Sequence, residues 1–188
     1  MISIDTILQQ ATALSLRGFK ESLLLQTQDA NYGTLSFEER LYHLFESEIN
    51  QRDNKKIKRL LQAATLKDKT ASLEQMEYLS KRNLDKSVIM SLASGNFINL
   101  KQNVLITGAT GVGKSFTMQC LGRRAIDLGY PTKYYRLSSL LEEIRTSRIA
   151  GTYTKTLAKI SKFKLLLIDD FGVTPLKADE INDLFEII

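Results

Sequence analysis

The stretch "ITGATGVGKSFT" contains glycines, a lysine and a serine at a spacing that suits phosphate binding. Gly108, Gly113, Lys114 and Ser115 fit the pattern G-x-x-x-x-G-K-[ST], between a predicted strand and a predicted helix. The glycines permit a tight concave loop whose backbone N–H groups converge on an anion, and the following helix adds its positive dipole end. We expect Lys114 to reach the β- and γ-phosphates of a nucleotide and Ser115 to bind Mg²⁺. The predicted cofactor-binding residues are Gly108, Ala109, Thr110, Gly111, Val112, Gly113, Lys114, Ser115 and Phe116.

A second group of reactive side chains ends the apolar run "LLLIDD", residues 165–170. A buried strand would deliver Asp169 at its carboxyl end, where ligands collect in open α/β sheets. There Asp169 can hold Mg²⁺ through coordinated water, and Asp170 is placed to polarise an attacking water. The two motifs together predict an ATP or GTP site, and the lack of an N/T-K-x-D sequence disfavours GTP.

The elements that position these groups follow two different patterns. The first hundred residues have almost no strand-like runs and predict helices over 3–14, 18–28, Phe37 to about Ala64, 72–80 and 84–94. Ser36 and Glu39 form a possible capping box for the long helix, and Gly95 suits a left-handed C-cap for the last.

From about residue 103 strands and helices alternate, which predicts a parallel sheet covered by helices. We expect strands over 103–107, 132–137 and 164–172, and helices over 114–129, 140–150, 152–161 and from 177 onward; Ser139 and Glu142 form a capping box. The predicted fold class is an α/β, three-layer αβα P-loop sheet behind a small all-helical N-terminal domain. The predicted domains are 1–95 and 96–188.

Composition narrows the function further. The 188 residues are 43% hydrophobic and 25% charged, with one cysteine and one histidine, which is typical of a globular protein without a zinc cluster. No apolar run is long enough to span a membrane, so we expect a cytoplasmic protein. The net charge of +5 favours a polyanionic partner, and the basic residues concentrate in "QRDNKKIKRL".

The motifs and their order resemble one family over nearly the whole chain. The segments "GATGVGKS", "LGRRAIDLGYPTKYYRLSSLLEEI" and "LLLIDDFGVTPL", behind a helical front end, are similar to the IstB-like transposition helper ATPases. These are AAA+ proteins encoded by bacterial insertion sequences and related to the DnaC-type helicase loaders. A second Asp followed by Phe and Gly, as in Asp170, Phe171 and Gly172, is common in this family.

The resemblance implies roles for the predicted residues. It implies that ATP and Mg²⁺ bind at Gly108 to Ser115, that Lys114 and Asp170 are catalytic, and that Ser115 and Asp169 are on the metal side. It implies partners as well: duplex DNA, a transposase and further copies of the chain, with the N-terminal domain carrying self-association. The candidate DNA contacts are Arg52, Lys55, Lys56, Arg59, Arg145, Arg148, Lys155 and Lys159.

The chain departs from the family pattern at Ile188, before a γ-phosphate-sensing polar residue and a trans-acting arginine. The resemblance therefore implies a partial AAA+ domain over 96–188, with an incomplete sheet that lacks its C-terminal strands. We expect a gap in the sheet between the phosphate-loop strand and the acidic strand, and weak turnover. Three explanations of this departure remain open. The gene could be a remnant, the rest of the protein could be encoded separately, or the shortened protein could repack its sheet. Two other functions also remain open: a helicase loader of the DnaC type, and a nucleotide-binding interaction module without turnover.

Overall fold

The chain divides into two compact units. The computed structural model describes residues 3–78, 84–173 and 175–187. Contacts group the residues into unit 1, Met1–Lys58, and unit 2, Arg59–Ile188, so the division falls inside a long helix.

The elements are α1 (Ile4–Ala13), α2 (Arg17–Gln28), α3 (Phe37–Ala64), α4 (Lys86–Ala93), α5 (Asn96–Asn99), α6 (Lys114–Asp127), β1 (Thr132–Arg136), α7 (Leu137–Ile149), α8 (Tyr153–Ile160), β2 (Leu165–Asp169) and α9 (Ala178–Phe185), with 3-10 helices Ala30–Thr34 and Leu73–Gln75. None of the described helices has both the length and the apolar character needed to cross a bilayer.

Most of the predicted helices are confirmed. The four helices α1 to α4 lie close to their predicted bounds. The predicted capping box opens α3: Glu39 Oε2 accepts from the Ser36 amide at 2.8 Å, and Ser36 Oγ accepts from the Glu39 amide at 3.2 Å. Gly95 follows α4 with φ of +78°, the left-handed conformation that was predicted.

The helix predicted over 72–80 is wrong in its described part, where only the 3-10 turn Leu73–Gln75 forms; residues 79 and 80 lie outside the described ranges. Asp68 Oδ1 accepts from the amides of Thr70 and Ala71, which favours a turn just before this segment. The thiol of Cys120 donates to the Ser72 carbonyl at 3.1 Å. Met76, which follows the turn, has an extended backbone with φ of −75° and ψ of 123°, so the helical conformation ends there.

In unit 1, helix α2 begins in close contact with the middle of α3. A Cβ added at Gly18 would lie 2.5 Å from the Ser47 carbonyl oxygen, so the missing side chain allows the approach. Ser47 Oγ donates to the Gly18 carbonyl at 2.9 Å. Phe19 and Phe45 pack edge to face, with ring centroids 5.9 Å apart, beside this crossing.

The side chain of Glu48, on α3, caps the N-terminus of α2. Leu16, the N-cap residue, supplies no side-chain hydrogen bond, and the first amides of a helix have no partner within it. Glu48 Oε2 accepts from the amides of Gly18 at 2.8 Å and Phe19 at 3.2 Å, while Arg52 Nε donates to Oε1 at 2.6 Å. The buried Glu48 carboxylate therefore caps the N-terminus of α2 from another helix.

In unit 2, strands β1 and β2 form a parallel sheet. Thr132 pairs with Leu165 and Arg136 pairs with Asp169, so the carboxyl ends of both strands meet. The core on this sheet consists of Tyr135, Leu137, Leu140, Ile144, Ile160 and Leu184. On α6, a Cβ added at Gly122 would lie 2.3 Å from the Leu167 Cδ1, which shows how closely α6 lies on β2.

The strand predicted over 103–107 is wrong, because these residues adopt no strand structure and Leu105 is 78% exposed. A strand needs a neighbour for its N–H and C=O groups, and the sheet of the described residues contains β1 and β2 alone. The helix-rich chain with its small parallel sheet is consistent with the predicted partial P-loop AAA+ fold behind a helical N-terminus.

The capping box predicted at Ser139 and Glu142 is also wrong, because α7 begins at Leu137, immediately after β1. Ser139 therefore lies in the first turn, and Glu142 instead accepts from Arg145 Nη2 at 2.7 and 2.9 Å. Burial of Leu137 in the core accounts for the earlier start.

Residues 59–78 and 84–93 belong to unit 2 by their contacts, although the sequence assigned them to the N-terminal domain. Three groups on α6 bind this segment: Gln119 Oε1 accepts from the Lys67 amide at 3.1 Å, Arg123 donates to the Lys69 carbonyl at 2.9 Å, and Arg124 donates to the Ala93 carbonyl at 3.1 Å. A functional boundary at residue 95 stays a prediction.

The cap at Glu48 generates a prediction with a pH dependence. Burial raises the pKa of Glu48, but the Arg52 guanidinium and the Phe19 and Gly18 amides outweigh it, and the pKa falls below its ordinary value of 4.5. We expect Glu48→Ala to lower the free energy of unfolding by about 1 to 3 kcal/mol at neutral pH, because two amides lose their acceptor.

The depressed pKa means that this stabilisation is present above pH 4.5 and is lost as the pH falls through the folded-state value. The difference between wild type and Glu48→Ala, measured by chemical denaturation, should therefore shrink in acid. Glu46→Ala is the matched control, since Glu46 is a half-exposed carboxylate on the same helix. An equal loss in both variants, or a difference that does not change with pH, would contradict the assignment.

Candidate nucleotide site

The predicted phosphate loop is a glycine-dependent turn that ends at the first residue of α6. Gly108, Gly111 and Gly113 have φ of +150°, +83° and +95°. An added Cβ at Gly111 or Gly113 would meet nothing within 4 Å, so glycine is required there by the backbone conformation and not by space. Gly113 is the N-cap residue of α6 and uses no side chain in capping. The free first-turn amides of α6 therefore face the concave loop.

Lys114 folds back over this loop. Its Nζ donates to the carbonyl of Gly108 at 2.8 Å and to the carbonyl of Ala109 at 2.7 Å. The ammonium group thus lies beside the loop backbone, where it adds a positive charge to the amides and the helix dipole. All three features favour an anion at this position.

Ser115 joins the loop to the acidic end of β2. Its Oγ donates to Asp169 Oδ1 at 2.9 Å, across 54 positions of the chain. Sequence analysis predicted that both residues act on the Mg²⁺ ion of one site, and the structure brings their side chains together. A hydroxyl and a carboxylate are hard oxygen ligands of the kind Mg²⁺ prefers, so this donor set fits the ion that the fold family implies.

Asp170 has an unusual backbone at the end of β2. Its φ is +58°, a left-handed conformation that Asp tolerates better than most residues. Its amide donates to Asp169 Oδ1 at 3.0 Å, and its Oδ2 lies 3.7 Å from Arg136 Nε. The Asp170 side chain is 55% exposed, so it is accessible to water.

Strand β1 supplies two contacts to the acidic pair that sequence reasoning missed. The hydroxyl of Tyr134 donates to Asp169 Oδ2 at 3.1 Å, and Arg136 forms the ion pair with Asp170. Burial, and then the neighbouring Asp169 carboxylate, raise the pKa of Tyr134 above its ordinary value of 10.0, so the phenol is protonated and donates at neutral pH. Alternation along β1 puts Tyr134 and Arg136 on one face, but only the pairing register shows that this face meets Asp169.

The other predicted loop residues surround this centre in different ways. Val112 is exposed, and its Cγ2 would lie 3.4 Å from a Cβ added at Gly108. Phe116 packs its side chain against the buried cluster Ala71, Met76, Ile89 and Cys120. For Phe116 the backbone amide, and not the ring, is therefore the part available to a ligand. Ala109 and Thr110 are exposed in the loop.

The predicted DNA contacts are exposed, although several have protein partners. Arg52, Lys55, Lys56 and Arg59 are exposed on α3 at spacings of three and four, so they share one helix face. Arg52 is paired with Glu48. Arg148 pairs with Asp183 and lies 3.8 Å from the Tyr153 ring centroid, while Lys155 has no salt bridge among the described residues.

A basic cleft lies beside β1 in unit 2. It encloses about 400 Å³, and its lining includes four basic side chains and one carboxylate, from Lys67, Lys133, Arg136, Lys159 and Glu143. Burial, followed by the neighbouring Lys159, lowers the pKa of Lys133 from its ordinary value of 10.5. Glu143, which lies 3.8 Å from Lys159 Nζ, opposes this shift.

Comparison with known proteins gives one family match. The family model described as IstB-like ATP binding protein matches residues 9–188, nearly the whole chain. The chain is 38% identical over 181 residues to an insertion sequence IS1162 ATP-binding protein of Pseudomonas fluorescens, covering 96% of this chain and 78% of that protein. It is 29% identical to an insertion sequence ATP-binding protein of Sinorhizobium fredii, covering 96% and 74% of the two chains.

A more distant relative agrees over the full length of the chain. The insertion sequence IS21 ATP-binding protein of Pseudomonas aeruginosa is 25% identical over 188 residues, which is 100% of this chain and 69% of that protein. These matches include both the phosphate loop and the acidic strand end. The chain therefore belongs to the family of IstB-like ATP binding proteins.

Proposed function

We propose that this chain binds ATP with Mg²⁺ at the phosphate loop and the acidic end of β2, and acts as a DNA-binding helper of an insertion-sequence transposase. The observation that carries the nucleotide assignment is the Ser115 to Asp169 hydrogen bond of 2.9 Å. The hydroxyl of the glycine-rich loop lies beside a carboxylate, and this pair of oxygen groups supports the proposed site for a nucleotide-bound Mg²⁺. The names of the relatives, all insertion-sequence ATP-binding proteins, support the biological setting.

Each group of the site has a proposed task in binding. The loop amides and the N-terminus of α6 would bind the phosphates, and Lys114 would leave the carbonyls of Gly108 and Ala109 for the β- and γ-phosphates. Ser115 and Asp169 would hold Mg²⁺, which neutralises charge on the phosphates when bound.

ATP hydrolysis depends on further steps that binding does not require. Asp170 is the proposed general base, and a base must reach its proton within hydrogen-bonding distance or through one water. Asp170 is now paired with Arg136. We therefore propose that binding is the primary activity, and that turnover requires the Arg136 to Asp170 pair to rearrange.

Two basic surfaces support the proposed binding of duplex DNA. The stripe on α3 contains Arg52, Lys55, Lys56 and Arg59, and the basic cleft contains Lys67, Lys133 and Lys159. Phosphate contacts by such side chains release counterions and supply affinity without reading sequence. The net charge of +5 agrees with this role.

Exposed apolar side chains on α3 support the proposed self-association through the N-terminal region. Tyr42, Phe45 and Ile49 are each more than half exposed and are spaced by three and four residues, so they form one stripe. Apolar stripes of this kind commonly mark protein contacts. The transposase is proposed as a further partner from the insertion-sequence setting of the relatives.

The proposed ATP site generates a prediction about nucleotide binding. Lys114→Ala should weaken ATP binding at least tenfold in an equilibrium titration with a fluorescent ATP analogue, because a charge-assisted contact to the phosphates is lost. Lys162→Ala is the matched control, as Lys162 is exposed and lies outside the loop. Equal affinities for the two variants would remove Lys114 from the site.

A second prediction concerns DNA. Replacing both Lys133 and Lys159 with Gln should reduce the slope of log affinity against log salt by about 1 to 2, since each phosphate contact contributes roughly 0.9. Duplex binding would be measured by fluorescence anisotropy at several salt concentrations. A double variant at the exposed Lys162 and Lys164, both replaced with Gln, is the control that removes the same two charges. A double variant with the wild-type slope would show that the basic cleft does not contact DNA.

A further inference from the structure

The acidic pair at the end of β2 is held from the neighbouring strand. Arg136 lies opposite Asp169 in the β1–β2 register, and Tyr134 lies two residues earlier on the same face. Tyr134 reaches Asp169 at 3.1 Å and Arg136 reaches Asp170 at 3.7 Å. Both carboxylates therefore have a neighbour on β1: a partly buried hydroxyl for Asp169 and an exposed guanidinium for Asp170.

The two carboxylate oxygens of Asp169 accept hydrogen bonds from different donors. Oδ1 accepts from Ser115 Oγ at 2.9 Å and from the Asp170 amide at 3.0 Å. Oδ2 accepts from the Tyr134 hydroxyl. A carboxylate turns easily about its terminal torsion, and a donor on each oxygen restricts that rotation. Tyr134 thereby keeps Oδ1 directed toward Ser115.

We propose that Tyr134 is a positioning residue that sets the Mg²⁺ dependence of ATP binding. Its hydroxyl orients Asp169, so that the carboxylate and the Ser115 hydroxyl can act together on a nucleotide-bound Mg²⁺. Groups that hydrogen-bond a metal ligand in this way commonly change metal affinity by 10 to 100-fold when they are removed. This inference rests on the proposed ATP site and adds a specific residue to it.

The core does not require the Tyr134 hydroxyl. The adjacent Tyr135 is buried in the cluster with Leu140 and Ile144, whereas Tyr134 is only partly buried and lies on the opposite face of the strand. Tyr134→Phe keeps the ring and its packing, and it removes the hydroxyl that donates to Asp169 and interacts with the Arg136 guanidinium. Any effect on Mg²⁺ can thus be separated from an effect on folding.

The test measures ATP affinity by titration with a fluorescent ATP analogue, in excess EDTA and across a series of Mg²⁺ concentrations. Wild type, Tyr134→Phe and Tyr130→Phe would be compared. Tyr130 is the matched control, because its hydroxyl also donates to one side chain, Asn99 Oδ1 at 2.9 Å, outside the site. Thermal melting of all three proteins reports any change in stability.

Tyr134→Phe should bind the nucleotide as wild type does in EDTA, and should need about tenfold more Mg²⁺ to reach the same gain in affinity. Tyr130→Phe should follow wild type throughout. If Tyr134→Phe shows the wild-type Mg²⁺ dependence, or loses affinity equally with and without the ion, the inference is overturned while the ATP site stands. If wild type binds no nucleotide under any condition, the proposed function fails first.

Discussion

The hydrogen bond between Ser115 and Asp169 joins the two halves of the candidate site, which are 54 positions apart in the chain. It can form only because α6 lies close against β2, where Gly122 leaves room for Leu167. If α6 moved away from β2, Ser115 and Lys114 would move with it, since both lie in the first turn of that helix. The chemistry of the site therefore depends on how one helix packs on one strand.

The position of α6 is fixed by contacts from an earlier part of unit 2. Lys67, Lys69, Ser72 and Ala93 bond to side chains of α6: the Lys67 amide donates to Gln119, and the other three carbonyls accept from Arg123, Cys120 and Arg124. Cys120 is fully buried there, and burial raises its pKa to about 11, so the thiol packs against its neighbours and stays unreactive at neutral pH. Residues that the sequence assigned to the N-terminal domain thus support the nucleotide site from outside the sheet.

Local rules in the sequence predicted the parts of this fold that depend on near neighbours. The capping box at Ser36 and the left-handed Gly95 are such features, and so is the order of glycines, lysine and serine in the loop. The features that were wrong or missed depend on distant residues. Residues 103–107 have the composition of a strand but no strand partner among the described residues. The contact of Tyr134 with Asp169 depends on the pairing register of β1 and β2, which the periodicity of either strand does not predict. The cap that Glu48 provides for α2 is likewise invisible in the sequence of α2.

The central claim is that the loop from Gly108 to Ser115 holds the phosphates of ATP. Hydrogen exchange with and without saturating Mg²⁺ and ATP tests it most directly, with the Gly18 and Phe19 amides of unit 1 as an internal reference, since Glu48 already protects them. The account predicts that the amides of residues 111–116 become protected when the nucleotide binds and that the reference amides do not change. Bound ATP with unchanged exchange in the loop would contradict it.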